Sequence, residues 1–448
     1  MSGFSLDGVL LGVATAATQI EGGCDTTNWA DWAREPGHIA DGSSPIRATG
    51  HWERWREDTE LMASLGVQTY RFGVEWARLE PSPGVFSDEA FAHYRDELTL
   101  LRDRGIRPLL TLHHFNNPRW FEQMGAFEHP ECVPIFLRYV QRVVTELGDL
   151  VEDWCTINEP NVYATFGYLY GVFPPGRKSL PRTLRVMSNL AHAHITAYEL
   201  IHALRAGKPT RVAFAIHLRV FDPANPANPV HRALARAQEF LFQGAITEAM
   251  CTGRFRRPLH RPAAVHEGRY YDAVGINYYS RSWVSKIGDG ARPGAQVNDL
   301  GWEIYPEGLA RVGRWVADRW PAPIWITENG TADNGTADNG TAGNGTADNW
   351  TTGNGGPGQV ERFRAQFLHD HLEVLAAARA TGVPFERYYH WCFVDNWEWA
   401  EGEVPRFGIV ALDYETQERT VKPSGRFFAD VIAAGGVTDE IIARHLAT

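Results

Sequence analysis

A chain of 448 residues that is 44% hydrophobic and 22% charged has ample apolar surface for a large buried core. Its net charge of −11 and pI near 5.9 argue against nucleic acid or an anionic membrane surface as a partner. No stretch reaches the roughly eighteen consecutive apolar residues of a membrane span.

The start, Met1 to Asp7, lacks the positively charged region of a signal peptide, and the apolar run from Val9 to Ile20 is short and threaded with Gly, Thr and Gln. It reads as a first strand. From there, short β-branched or aromatic runs alternate with longer amphipathic stretches, the pattern of parallel strands joined by helices. Strands are predicted at Leu11 to Thr15, Thr69 to Val74, Pro108 to Leu112, Val151 to Ile157, Arg211 to Ile216, Ala273 to Asn277, Ile324 to Thr327 and Tyr388 to Phe393. Helices are predicted between them, at Trp52 to Leu65, Asp88 to Arg104, Val133 to Leu147, Leu184 to Leu204, Arg232 to Met250, Pro306 to Asp318 and Gln359 to Ala380. This succession predicts an α/β protein, a (β/α)8 TIM barrel forming a single domain over residues 1–448 with elaborated loops after the strands. An open doubly wound sheet would bring a Gly-rich phosphate turn after its first strand, and no GxGxxG or Walker turn occurs.

One segment breaks the pattern. From Asn329 the unit Asn-Gly-Thr-Ala-Asp recurs with small changes through Asn334, Asn339, Asn344 and Asn349. A five-residue period with almost no apolar side chains cannot build a packed element, so residues 331–358 are expected to form a low-complexity surface loop. Regular Asp and Asn invite a calcium reading, but EF-hand spacing and its closing glutamate are missing. Neither metal nor cofactor is expected. The five cysteines, Cys24, Cys132, Cys155, Cys251 and Cys392, are scattered without a CxxC pair, which suits reduced thiols in a cytoplasmic protein.

A barrel of this kind carries its chemistry at the C-terminal ends of its strands. Gln19, Arg71, His114, Asn158, Glu159, Tyr279, Glu328 and Trp391 all fall at or just past predicted strand ends. Two segments stand out, Thr156-Ile157-Asn158-Glu159-Pro160 and Ile326-Thr327-Glu328-Asn329-Gly330. Each alone is a weak signal, because proline ends strands and Asn-Gly makes turns. At the ends of the fourth and seventh strands they deliver two carboxylates into one cleft, which glycosidic-bond cleavage requires.

With these two motifs stand Ala14-Thr15-Ala16-Ala17-Thr18-Gln19-Ile20-Glu21-Gly22, Tyr70-Arg71-Phe72, Gly275-Ile276-Asn277-Tyr278-Tyr279 and Asp395-Asn396-Trp397-Glu398-Trp399-Ala400-Glu401-Gly402. Six ordered motifs from about Leu11 to Pro423 make the chain resemble glycoside hydrolase family 1, the β-glucosidases and β-glycosidases. The resemblance implies a retaining exo-β-glycosidase acting on a small-molecule β-glycoside, with Glu328 as nucleophile and Glu159 as general acid/base. In such enzymes the carboxyls stand about 5–5.5 Å apart and repel, so one ionises readily and the other holds its proton nearer neutrality. It further implies that Arg71 and Tyr279 support the nucleophile and Asn158 binds the 2-hydroxyl. Gln19, His114, Glu398 and Trp399 would hold the outer hydroxyls over an aromatic floor at Trp391. Of the adjacent histidines, His114 is the expected hydrogen-bonding residue, since neighbours on a strand point to opposite faces.

The chain departs from the family pattern in places. After His114 the family often reads Trp-Asp-Leu-Pro, whereas this chain has Phe115-Asn116-Asn117-Pro118, and Gly73-Val74-Glu75 varies the second-strand motif. Phe115 can pack against a sugar but lacks the indole N–H. A carboxylate at Glu398 would repel a 6-phosphate, which favours an unphosphorylated glycone. A β-galactosidase or β-fucosidase preference, a catalytically silent sugar-binding barrel and a metal-dependent barrel hydrolase are the alternatives. Retention of both glutamates argues against the silent form.

Overall fold

The computed structural model describes residues 1–286, 290–334, 361 and 363–446. Eight parallel strands close into a barrel in chain order: β1 (Leu10–Ala14), β2 (Thr69–Gly73), β3 (Arg107–His113), β4 (Asp153–Asn158), β5 (Arg211–His217), β6 (Val274–Asn277), β7 (Ile324–Asn329) and β8 (Phe385–Trp391). The last strand pairs with the first, Arg387 opposite Leu10 through Trp391 opposite Ala14. Every residue of β2, β4, β6 and β7 is buried. Parallel strands covered on both faces lose the polar alternation of an exposed sheet, which is why these segments read as nearly continuous apolar runs. Gly12 is required by the closure itself. A Cβ there would lie 1.8 Å from the carbonyl oxygen of Thr69 on β2.

The helices packed around the barrel include α1 (His51–Ser64), α2 (Asp88–Asp103), α3 (Cys132–Leu147), α4 (Leu180–Leu204), α5 (Pro229–Glu239), α6 (Glu307–Ala317), α7 (Arg364–Ala380) and α8 (Pro423–Ala434). The helix expected from Arg232 to Met250 is not continuous. A wider π turn at Phe240–Gly244 separates α5 from a further helix, Ala245–Thr252. That turn carries Gln243, whose buried amide bonds both the N–H and the C=O of Arg219 in the loop after β5. The helix expected from Gln359 begins at Arg364. A short antiparallel pair, Phe4–Ser5 with Gly436–Val437, ties the two ends of the chain together.

The expected loop at 331–358 lies mostly outside the described residues, but its first residues are not a loose surface. Thr331, Ala332 and Asp333 are buried. The fully buried Arg364 draws them in, donating to the carbonyls of Thr331 and Asp333, while the Asp333 carboxylate accepts from the backbone N–H groups of Phe363 and Arg364. Composition concealed this, because the acceptors that Arg364 needs are mostly backbone.

At the N-terminal end of the barrel one buried carboxylate joins four strands. Asp153, the first residue of β4, accepts from Arg387 of β8 at 2.8 Å and from Arg211 of β5 at 2.9 Å, and it also pairs with Arg107 of β3. Arg387 is itself fully buried and lies 4.2 Å from the Trp325 ring centre. Arg387→Met takes one donor from Asp153 but leaves it paired with Arg211 and Arg107, so it should destabilise folding by about 2 kcal/mol, the cost of one hydrogen bond to a buried charge. Thermal melts check this, and kcat/KM of the folded protein should stay within about twofold because the pair lies at the end of the barrel away from Glu159 and Glu328.

Candidate active site

At the end of β4 the chain turns sharply. Pro160 opens a short helix, Pro160–Thr165, and disfavours the α conformation for the residue before it. Glu159 takes the left-handed conformation, with φ 43° and ψ 58°, and its N–H is held by the carbonyl of Ala215 at 2.7 Å. For a residue with a Cβ this backbone costs about 1–2 kcal/mol, a strain that accumulates at functional positions. The Glu159 carboxylate accepts from Asn277 Nδ2 at 2.9 Å and faces His217 Nδ1 at 3.1 Å. Since Arg219 donates to His217 Nε2, the imidazole proton sits on Nδ1 and is donated to Glu159.

Glu328, within β7, is held differently. Arg71 Nη1 donates to its Oε1 at 2.5 Å and the Tyr279 hydroxyl to its Oε2 at 2.7 Å. Burial pushes the Glu328 carboxyl up, to about 7, and the Glu159 charge adds to this, while Arg71 and Tyr279 pull it back. Arg71 is wholly buried. Burial opposes its charge, but the acidic groups beside it, Glu328 foremost, together more than offset this and hold its pKa above the ordinary value. Its remaining donors reach Thr111, the carbonyl of Thr327 and the side-chain oxygen of Asn158.

From Asn158 the contacts continue into the pocket. Its amide oxygen also accepts from Asn277, and its Nδ2 donates to His114 Nε2 at 2.8 Å. The His114 proton is therefore on Nδ1. Burial, with Arg71 nearby, keeps this imidazole neutral by lowering its pKa well below the usual histidine range. The ring lies 5.8 Å from Trp391 and 5.7 Å from Trp399. Trp391 Nε1 donates to Glu398 at 3.1 Å, and Gln19 donates to the carbonyl of Trp397 at 2.9 Å beside it. All ten residues expected at the site thus belong to one connected group. Gln19 Oε1 and His114 Nδ1 are buried without a protein partner among the described residues, and a hydroxylated ligand would satisfy both.

Other residues resolve as well. His113 faces away from the pocket, bonding Asn117 at 3.0 Å among Phe127, Phe136 and Tyr163. Phe115 packs on Trp399 at 5.2 Å. Asn277 and His217, the partners of Glu159, were not among the expected site residues. Each is the last residue of its strand, so the strand-end rule that selected Asn158 could have found them.

A barrel mouth built this way is that of a glycoside hydrolase, and the comparisons give the family. Residues 4–437 match the model of glycosyl hydrolase family 1, and the chain belongs to that family. It is 31% identical to β-glucosidase A of Thermotoga maritima, over 97% of this chain and 98% of that protein. A solved β-glucosidase from Thermotoga maritima, in complex with glucoimidazole, superposes with a TM-score of 0.87 at 29% identity, covering 97% of this chain and all of that one. A β-glycosidase from Pyrococcus horikoshii gives 0.84 at 31% identity over 100% and 99% of the two chains.

Glu398 has a consequence for stability. Burial raises its carboxyl from 4.5 to about 8, with the Glu328 charge adding and Trp391 and Gln19 opposing. The folded state then binds an extra proton, so stability falls as pH rises from about 4.5 to about 8. Glu398→Gln removes a charge that is costly in the folded protein. Its melting temperature should exceed that of the unaltered protein by more at pH 8 than at pH 5, as thermal melts at the two pH values would show.

Proposed function

We propose that the protein is a retaining exo-β-glycosidase, a β-glucosidase first, that removes terminal β-D-glycosyl residues through a covalent glycosyl-enzyme. The observation that carries this reading is the unequal holding of two carboxylates at one mouth. Glu328 is bonded by a cation and a phenol, whereas Glu159 is bonded by an amide and the imidazole N–H of His217. Two neighbouring acids in different environments divide the work of acid and base.

In the first step a Glu328 oxygen attacks the anomeric carbon. The bond from that carbon to the leaving oxygen breaks as Glu159 gives its proton to it. Ester formation discharges Glu328, which leaves Glu159 ionised and able to take a proton from water in the second step. Water then attacks the same carbon and frees Glu328. Two inversions give net retention.

Asn158 would bind the 2-hydroxyl, Gln19, His114, Glu398 and Trp399 the outer hydroxyls, and Trp391 the ring face. The names of the relatives support a glucoside reading, and a β-galactosidase from Pyrococcus woesei that is 26% identical keeps galactosides within reach. A panel of nitrophenyl β-glycosides ranks the glycones. All five cysteines are free, in keeping with a cytoplasmic location.

Glu328→Gly should abolish hydrolysis, and azide should restore turnover of a dinitrophenyl β-glucoside to give the α-glycosyl azide. Glu159→Gly should keep the first step with that leaving group and yield the β-glycosyl azide. The reverse anomers, read by NMR, would overturn the roles. Tyr279→Phe removes a bond that favours ionised Glu328, so the acid limb of the kcat/KM profile should move to higher pH.

A further inference from the structure

Glu75 lies just beyond β2, is buried, and makes no hydrogen bond to Glu159 or Glu328. Its carboxylate joins two loops of the mouth. Oε2 accepts from the Thr18 hydroxyl at 2.9 Å, while Oε1 accepts from Asn116 Nδ2 and from the N–H of Ala77. Thr18 immediately precedes Gln19 in the short helix after β1. Asn116 is two residues beyond His114, in the loop after β3, where Phe115 has φ 62°. A cavity of about 10 Å³, room for one water, lies among Thr18, Glu75, His114 and Asn116.

We propose that Glu75 is a positioning residue of the glycone pocket: by bridging Thr18 and Asn116 it fixes the spacing of Gln19 and His114, and so of two groups that grip the sugar. The inference rests on the glycone-pocket reading given above.

Neither loop carries its chemistry on a strand. Gln19 sits in a helix of a single turn, and His114 follows the last residue of β3. Such positions need bracing if they are to hold hydroxyls to within a few tenths of an ångström. A carboxylate meets this need better than an amide would, since three donors converge on its two oxygens. It is held there against resistance. Burial, and the charge of Glu21, push Glu75 up to about 7, while the Ala77 N–H, Thr18 and Arg78 pull it down. Tyr94 connects the two acids, donating to Glu21 at 2.6 Å and accepting from the Glu75 N–H at 2.8 Å. The pair also accounts for two departures from the family pattern. Where the family often has Asp after the aromatic residue, this chain has Asn116, and the acid stands opposite it at Glu75.

The test compares Glu75→Ala with the exchanged pair Glu75→Gln/Asn116→Asp, which restores an amide–carboxylate bond with its direction reversed. KM for nitrophenyl β-glucoside and Ki for glucose should rise together by about tenfold in Glu75→Ala, with kcat within about threefold of the unaltered enzyme. The exchanged pair should bring both constants back to within about threefold. If Glu75→Ala leaves KM and Ki unchanged, or the folded exchanged pair binds no better than Glu75→Ala, the proposal is overturned. Should Glu75→Ala fail to fold, the exchanged pair alone decides, wild-type-like binding supporting the brace and a tenfold loss refuting it. Failure of the underlying reading would look different, as absence of glucoside turnover by the unaltered protein.

Discussion

A guanidinium sealed from water at Arg71 is the constraint from which the mouth of the barrel follows. A buried charge is tolerated only with full hydrogen bonding and a counter-charge. Arg71, itself in β2, finds these on three other strands at once, through Thr111 on β3, Asn158 on β4 and both Thr327 and Glu328 on β7. Strands that share one cation cannot slide relative to each other. Glu328 is therefore aimed inward by a requirement of folding as well as of chemistry, and the Asn158 amide is fixed so that its N–H groups face His114.

Glu159 gains its separate character from backbone geometry. Its left-handed turn sets it past the end of β4, beyond any Arg71 bond, where Asn277 and His217 receive it. Asn277 reaches both Asn158 and Glu159 through one amide nitrogen and accepts from Thr327. The two acids thus share a scaffold while differing in their immediate donors. A single network in this way gives the two carboxylates different sets of donors.

The strands were legible because burial on both faces removes polar alternation, and the two glutamates were legible because each sits where an apolar run stops. Contacts between strand ends were harder to read. His217 looks like any histidine ending a strand, and only closure of β5 beside β4 brings it to Glu159. In sequence Glu75 is only a variant of a motif, and its role as a bridge between Thr18 and Asn116 exists only in three dimensions. The wide turn at Phe240–Gly244 left no signature in composition. The anchored beginning of the Asn-Gly-Thr-Ala-Asp repeat was hidden for a related reason, since a polar sequence gives no notice that a buried arginine elsewhere will claim its carbonyls.

That anchor brings the two ends of the repeat-bearing segment side by side. Asp333 and Phe363 are 30 residues apart in sequence yet joined by a hydrogen bond of 2.9 Å, and Asn334 and Arg406 are joined beside them. The described residues on the two sides of this segment therefore meet at one place on the barrel. For a segment fastened at both ends, doubling its length adds only about 0.6 kcal/mol of closure entropy. An insert at this point can therefore change in length at little cost to the closure of the barrel beside β7.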